Sequence, residues 1–264
     1  MVATRHEAQF LPVGSAAQQR RIAYLKDGAE GTAPGLIWLC GFRSEMTSIK
    51  ASALATWAEA HHRPCLRFDY SGHGQSSGQI EHGTISHWLE EALAVFDHLS
   101  HGPQLLVGSS MGGYLALLLL RALLARSASA AARIKALVLI APAWDMTELL
   151  WQHLPASARA AIMTEGVYLR PSRYGDGPYP ITRTLIEDGR QHLIGAATFD
   201  PGRPLHILHG LQDPDIPWEH TLDLVAHLSG DWARVSAIPD GDHRLSRPQD
   251  LELILHIVGD LAGA

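Results

Sequence analysis

Val107-Gly108-Ser109-Ser110-Met111-Gly112-Gly113 is the stretch on which the reading of this chain turns. The apolar run Leu105–Val107 leads into it and the long apolar stretch Met111–Arg126 leads away, so it reads as a strand turning sharply into a helix. Gly108, Ser110 and Gly112 complete a G-x-S-x-G pattern. In such a turn the flanking positions have no room for side chains, and the serine hydroxyl is lifted clear of the sheet. The helix start behind it aims free N–H groups and a positive dipole end at any negative charge that develops there. Ser110 is therefore the candidate nucleophile, with the Met111 N–H as one oxyanion donor. Ser109 is the neighbouring alternative, but Val107 and Met111 at its flanks fail the steric requirement.

Outward from this turn, strands and helices alternate. Apolar runs of strand length occur at Leu36–Cys40, Cys65–Phe68, Leu105–Val107, Ile134–Ile140 and Leu205–Leu208. The first four have few polar interruptions, as expected of parallel strands covered on both faces. Helical stretches fit Thr47–His61, Ile85–Leu99, Met111–Arg126, His220–Leu228 and Gln249–Leu261, and Arg234–Ile238 is strand-like. Ala8–Val13 and Arg20–Lys26 read as a leading hairpin joined around Gly14–Ser15. The class is α/β: a mostly parallel central sheet flanked by helices, with sites beyond the carboxyl ends of its strands.

The chain reads as a single domain over 1–264 with one insertion. Between Ala141 and Arg203 no strand is apparent, and Trp144–Phe199 is expected to form a small, mostly helical lid inserted between core strands. A structureless loop of that length is improbable in a compact domain. Ser127–Ala132 reads as a short connection. Trp144, Leu150, Trp151, Leu154 and Met163 are candidate walls of a substrate pocket, and Arg170 and Arg173 are candidates for meeting a substrate carboxylate.

Composition narrows the function classes. The hydrophobic fraction of 46% and charged fraction of 18% are ordinary for a globular protein. A formal charge of −6 with no Lys/Arg-rich run argues against a nucleic-acid partner. The apolar run Leu115–Leu120 is interrupted by Arg121 and Arg126 well short of the ~20 residues a membrane span needs. No secretory signal is apparent at the start. Cys40 and Cys65 lie in or beside strand-like runs with no CxxC spacing, which fits two core thiols, a reducing and cytoplasmic setting, and no metal site.

A serine hydroxyl needs a neighbouring base. Of sixteen histidines, His243 stands out in the turn Pro239-Asp240-Gly241-Asp242-His243 between a strand-like stretch and a helix. His73, in Ser71-Gly72-His73-Gly74, is the second candidate. In sheets built this way the chain order is Ser, acid, His, and Asp213 follows Leu208-His209-Gly210-Leu211-Gln212 at a strand end. Asp213 is the nearer to that end, although spacing alone leaves Asp215 open. Cys40-Gly41-Phe42 ends the strand Leu36–Cys40, so the Phe42 N–H is the candidate second oxyanion donor.

Taken together these segments resemble the α/β-hydrolase superfamily over nearly the whole chain. Asp69-Tyr70-Ser71-Gly72-His73-Gly74-Gln75-Ser76 is similar to its D-x-x-G-x-G-x-S loop. His209-Gly210-Leu211-Gln212-Asp213-Pro214-Asp215-Ile216-Pro217 is similar to H-G-x-x-D-x-x-V-P, which implies Asp213 as the triad acid. Gly41-Phe42-Arg43-Ser44-Glu45-Met46, Leu66–Gly72, Gly102–Ser110, Pro171-Ser172-Arg173-Tyr174 and Asp242-His243-Arg244 resemble one branch. That branch holds the mitochondrial acyl-glucuronide esterase and palmitoyl-protein thioesterase and their bacterial relatives. The resemblance implies hydrolysis of small-molecule esters or thioesters, no cofactor, and a small helical lid. Where many members carry His-Gly, this chain has Cys40-Gly41; the donor there is a backbone N–H, so activity is expected to survive the difference. A cofactor-free perhydrolase on the same triad and a non-catalytic binding module of the same fold are the alternatives. A dinucleotide enzyme is disfavoured, since Gly72-His73-Gly74 lacks the G-x-G-x-x-G spacing.

Overall fold

The computed structural model describes residues 7–28, 31–172, 177–195 and 197–263. Ten strands and nine α-helices follow one another among these residues. The strands are β1 (Gln9–Val13), β2 (Arg20–Asp27), β3 (Gly35–Leu39), β4 (Cys65–Phe68), β5 (Gln104–Ser109), β6 (Ile134–Ile140), β7 (Val167–Arg170), β8 (Tyr179–Thr182), β9 (Leu205–Gly210) and β10 (Ala233–Ile238). The helices are α1 (Ile49–Ala60), α2 (Ile85–Leu99), α3 (Met111–Arg126), α4 (Ala128–Ala132), α5 (Met146–His153), α6 (Ala156–Glu165), α7 (Arg183–Gly189), α8 (Trp218–His227) and α9 (Pro248–Ala262).

Eight strands form one sheet in the order β1-β2-β4-β3-β5-β6-β9-β10. The β1–β2 hairpin is antiparallel and joins β4 antiparallel; the other six strands run parallel. Every residue of β3, β4 and β5 is buried, because helices cover both faces of these strands. From β3 the chain goes first to β4 on one side and then crosses to β5 on the other. That reversal opens a crevice beyond the carboxyl ends of β3 and β5, the place where open α/β sheets bind ligands. In register, Leu39 lies opposite Gly108, so the Cys40-Gly41-Phe42 segment and the Ser110 turn emerge side by side.

Helix α3 is apolar on nearly all sides and is correspondingly deep: Leu115 to Leu120 are all fully buried. Arg121 donates to the Leu193 and His192 carbonyls. Among the described residues no helix is long and apolar enough to cross a membrane.

Two local expectations are corrected. Ser127–Ala132 is not a plain connection but contains α4, capped by the Ser127 hydroxyl accepting from the Ala130 N–H. The segment between β6 and β9 holds three helices, α5, α6 and α7, but also the antiparallel ribbon β7–β8, with Tyr168 opposite Ile181 and Leu169 opposite Pro180. These strands are four residues each and one carries a proline, so neither shows the run of alternation that marks a strand. The segment is pinned at its root by Asp145, whose carboxylate accepts from the Ile194 and Gly195 N–H groups at 2.8 and 3.1 Å. Its small core of Leu154, Ala158, Ile162, Ile181 and Ile186 packs with Phe42. Arg173 and Tyr174 lie outside the described residues.

Candidate active site

Ser110 sits between β5 and α3 with φ 54° and ψ −118°, a conformation that L-residues adopt only under constraint. Its N–H donates to the Ile140 carbonyl, while its own carbonyl accepts from Gly113, Tyr114 and Ala143 N–H groups. Those four bonds hold the strained residue. A Cβ on Gly112 would lie 2.0 Å from the Leu39 carbonyl oxygen, and one on Gly108 2.3 Å from the Gly112 carbonyl oxygen. The two glycines of the motif are thus steric necessities of the turn. Ser109 belongs to the end of β5 and is buried.

The turns after β9 and β10 bring Asp213 and His243 to the same rim. His243 Nε2 lies 3.1 Å from Ser110 Oγ, and His243 Nδ1 lies 2.7 Å from Asp213 Oδ2. The other Asp213 oxygen accepts from the Asp215 and Ile216 N–H groups at 2.8 and 2.9 Å. The Asp213 side chain is only 1% exposed, against 15% for His243. Burial pushes the Asp213 carboxyl up, but the hydrogen bond and charge interaction with His243, with the two amides, outweigh it and hold the carboxyl below its ordinary range. An ionised Asp213 fixes Nδ1 as the donor, so Nε2 is left as the acceptor facing the serine hydroxyl. The loop geometry separates the two candidate acids: Asp213 takes the imidazole bond, and Asp215 supplies a backbone amide to it.

His73, the second candidate base, is buried in an aromatic box. Its ring centroid lies 5.5 Å from Trp88 and 6.0 Å from both Phe42 and Tyr70. Nδ1 pairs with the Ser71 carbonyl, and burial pulls its pKa down to about 4. It therefore stays neutral beneath Phe42.

Gly41 lies against the serine turn: a Cβ there would be 3.4 Å from Ser110 Cβ. The Phe42 and Met111 N–H groups at this junction have no protein acceptor among the described residues. The Phe42 ring packs on Trp88 and on Tyr179 of β8, each at 5.8 Å.

The five predicted pocket residues divide. Leu150 and Trp151 are half-buried and pack against the small core of the 144–199 segment, as Phe42 does. Leu154 is inside that core. Trp144 is corrected to a packing role: it stacks on His220 at 5.0 Å, exchanges hydrogen bonds with it, and is buried. Met163 is 42% exposed. Arg170 lies 6.0 Å from the Tyr179 ring.

Two residues near the site escaped the sequence reading. His209 is fully buried, paired with the Ile216 carbonyl and the Thr221 hydroxyl, with Nε2 4.0 Å from Asp213 Oδ2. Its position in the His209–Pro217 motif was the available signal. Lys50, on α1, reaches the turn that carries His243, and nothing local in the sequence marks it.

Cys40 and Cys65 are both buried and free; burial pushes both thiols up, Cys65 to about 12, so they are inert core groups. Asp213, Asp215 and His243 each place one donor atom within 4.8 Å of the others, the one grouping among the described residues with metal-ligand spacing. The short Asp213–His243 hydrogen bond already occupies two of those three groups.

A family model described as the α/β hydrolase fold matches residues 49–161. The human palmitoyl-protein thioesterase ABHD10, mitochondrial, is 31% identical over 241 residues, which is 91% of this chain and 76% of that protein. Among solved structures, a putative hydrolase from Agrobacterium vitis S4 is 43% identical with a TM-score of 0.93, covering 97% of this chain and 98% of that one. Alpha/beta hydrolase domain-containing protein 10 from mouse is 30% identical with a TM-score of 0.84 over 97% and 98%. With the sheet order, the strained serine turn and these relatives in agreement, the chain belongs to the α/β-hydrolase family, as an enzyme of its esterase and thioesterase type.

Proposed function

We propose that this enzyme hydrolyses carboxylic esters or thioesters through an acyl-serine intermediate, with Ser110 as nucleophile, His243 as general base and Asp213 as the acid that orients it. The observation that carries this reading is the unbroken line from Ser110 Oγ to His243 Nε2 at 3.1 Å and from Nδ1 to Asp213 at 2.7 Å. Ser110 Oγ attacks the acyl carbonyl carbon as its proton passes to Nε2. The Phe42 and Met111 N–H groups hold the oxyanion; such a donor is typically worth about 3–4 kcal/mol in the transition state. Collapse breaks the bond to the alcohol or thiol, which leaves with the proton from His243. Water then repeats the sequence and frees the acid.

The 144–199 segment serves in this reading as a lid whose packing on Phe42 couples it to the oxyanion donor. Leu150 and Trp151 are the predicted wall residues best placed to meet an acyl chain, since both are half-buried and pack, as Phe42 does, against the small core of that segment. The human relative named above is a mitochondrial protein; two buried thiols suit any reducing compartment, mitochondrial matrix or cytoplasm.

The test is hydrolysis of p-nitrophenyl esters and the matching acyl thioesters over a chain-length series, with covalent labelling by a fluorophosphonate. Ser110→Ala is expected to abolish labelling and to lower kcat by about 10⁶-fold. Wild-type-like turnover by that variant removes the acyl-serine from the mechanism. Wild type that neither labels nor turns over any ester would leave the binding-module alternative standing.

A further inference from the structure

We propose that Lys50 is a positioning residue of the reaction, clamping the turn that carries His243 to the first turn of the helix that follows the Phe42 amide. The inference rests on the reading of His243 as general base. Lys50 Nζ donates to the carbonyl of Arg244, the residue next to His243, and lies 3.4 Å from Ser246 Oγ. Its partner is 194 positions away in the chain, so the contact exists only once the sheet has closed. Ser246 Oγ also donates to the Arg244 carbonyl, at 2.9 Å. That single carbonyl, one residue from the imidazole, is therefore the focus of two bonds.

Helix stability does not explain a lysine at this place. Helix α1 has no acidic residue in its first turn and no side-chain cap at Ser48, so a cation at its second residue meets the like-signed end of the helix dipole. Burial adds to the cost and pulls the ammonium down to about 8, with Asp242 and Asp250 pushing it up and Arg244 pushing it down. These are the charged groups that face it, two from the His243 turn and one from the first turn of α9. The turn is demanding in its own right: Leu245 has φ 42°, and Asp242 Oδ1 accepts from both the Arg244 and Leu245 N–H groups at 3.0 Å. A fixed cation on the Arg244 carbonyl holds that strained arrangement toward Ser110. Both ends of the clamp serve the same step, because the loop before α1 carries one oxyanion amide and the turn after β10 carries the base. A displacement of an ångström between them is enough to cost a factor of ten to about 10² in rate.

The experiment measures kcat and KM for p-nitrophenyl butyrate from pH 6 to 10 in wild type, Lys50→Met and Lys50→Arg. Active sites are counted by fluorophosphonate titration, so that turnover refers to folded enzyme only. Ser110→Ala and His243→Ala are run alongside. Lys50→Met is expected to lose about tenfold or more in kcat per titrated site at pH 7 with KM within twofold. The wild-type decline through about pH 8 is expected to vanish in this variant, which has no ammonium to lose. Lys50→Arg keeps the cation, and is expected to recover most of the rate and to carry it to higher pH. Wild-type kcat in Lys50→Met, or a pH profile superimposable on wild type in both variants, overturns the clamp while leaving the triad intact. Activity surviving in Ser110→Ala or His243→Ala instead overturns the reading on which the clamp rests.

Discussion

Asp213 shows how much of the chemistry is fixed by one side chain's surroundings. One oxygen is held by two amides of its own turn and the other by His243, so rotation of the carboxylate is blocked on both sides. Asp213→Asn keeps the shape but offers an amide N–H or a neutral oxygen to Nδ1, and the imidazole is no longer held in the tautomer that leaves Nε2 free. The expected loss is on the order of 10³–10⁴ in kcat with little change in KM, read by steady-state ester hydrolysis. Asp215→Asn is expected to stay within a few-fold of wild type, because its contribution to the acid is a backbone amide. The same surroundings have a signature in stability. The folded carboxyl titrates below its ordinary value of 3.8, so its stabilising effect is complete above that value and is lost as pH falls below it toward the folded pKa. Melting curves taken down to pH 2 should therefore show a steeper acid decline for wild type than for Asp213→Asn.

At the scale of elements, the β5–α3 turn is where sequence and geometry constrain each other most. A methyl on Gly112 would sit 2.0 Å from the Leu39 carbonyl oxygen and 2.7 Å from that of Cys40, and both atoms are backbone where β3 ends and the Cys40-Gly41-Phe42 segment begins. Gly112→Ala is expected to destabilise by about 1–3 kcal/mol and to slow fluorophosphonate labelling far more than that loss explains, since β3 must move away from α3. Gly31→Ala, with no atom within 4 Å of the added methyl, is the control and should fall within about 0.5 kcal/mol of wild type by chemical denaturation. The same turn was legible in the sequence because its constraint is local: glycines two residues on either side of a serine, a strand before, a helix after. The apolar runs of β3 to β6 were legible for a related reason, since strands covered on both faces have almost no polar positions. The β7–β8 ribbon was not, because four-residue strands with Pro180 inside show no period. The sequence alone cannot tell a packing role for Trp144 from a place in a pocket wall, because an aromatic residue in a lid-like segment has the same local appearance whether it faces a ligand or, as here, a histidine of α8. Lys50 was invisible for a deeper reason: its partner is chosen by closure of the whole sheet and by nothing near it in the chain.

The molecule as a whole is held together by contacts of that long-range kind, and its response to acid follows from what they bury. His73 packs against Phe42, and His220 of α8 stacks on Trp144; burial pulls each to a pKa of about 4 from an ordinary 6.5. Each is neutral in the folded protein, with one ring nitrogen committed to a backbone carbonyl, Ser71 and Trp144 respectively. The unfolded chain takes up a proton at each histidine as pH falls through 6.5, while the folded chain does so only near 4. In that interval the unfolded state binds more protons, so stability falls on acidification and levels off, for these two groups, below about 4. Buried carboxyls work the other way: Asp69, Asp145 and Glu91 are each pushed up by burial, so the folded state takes up their protons first and gains from it. The net curve therefore does not isolate the histidines, but a difference between variants does. His220→Gln can still donate to the Trp144 carbonyl and has nothing to protonate. Measured by urea unfolding at half-unit steps from pH 7 to 4, it should lose stability at pH 7 through poorer stacking on Trp144. It should then close the gap on wild type as pH falls, by an amount on the order of 1–3 kcal/mol across the interval. His73→Gln should close its own gap over the same interval. A gap that stays constant with pH would mean that the imidazoles titrate alike in the folded and unfolded chains, and that burial at these two positions does not hold them neutral.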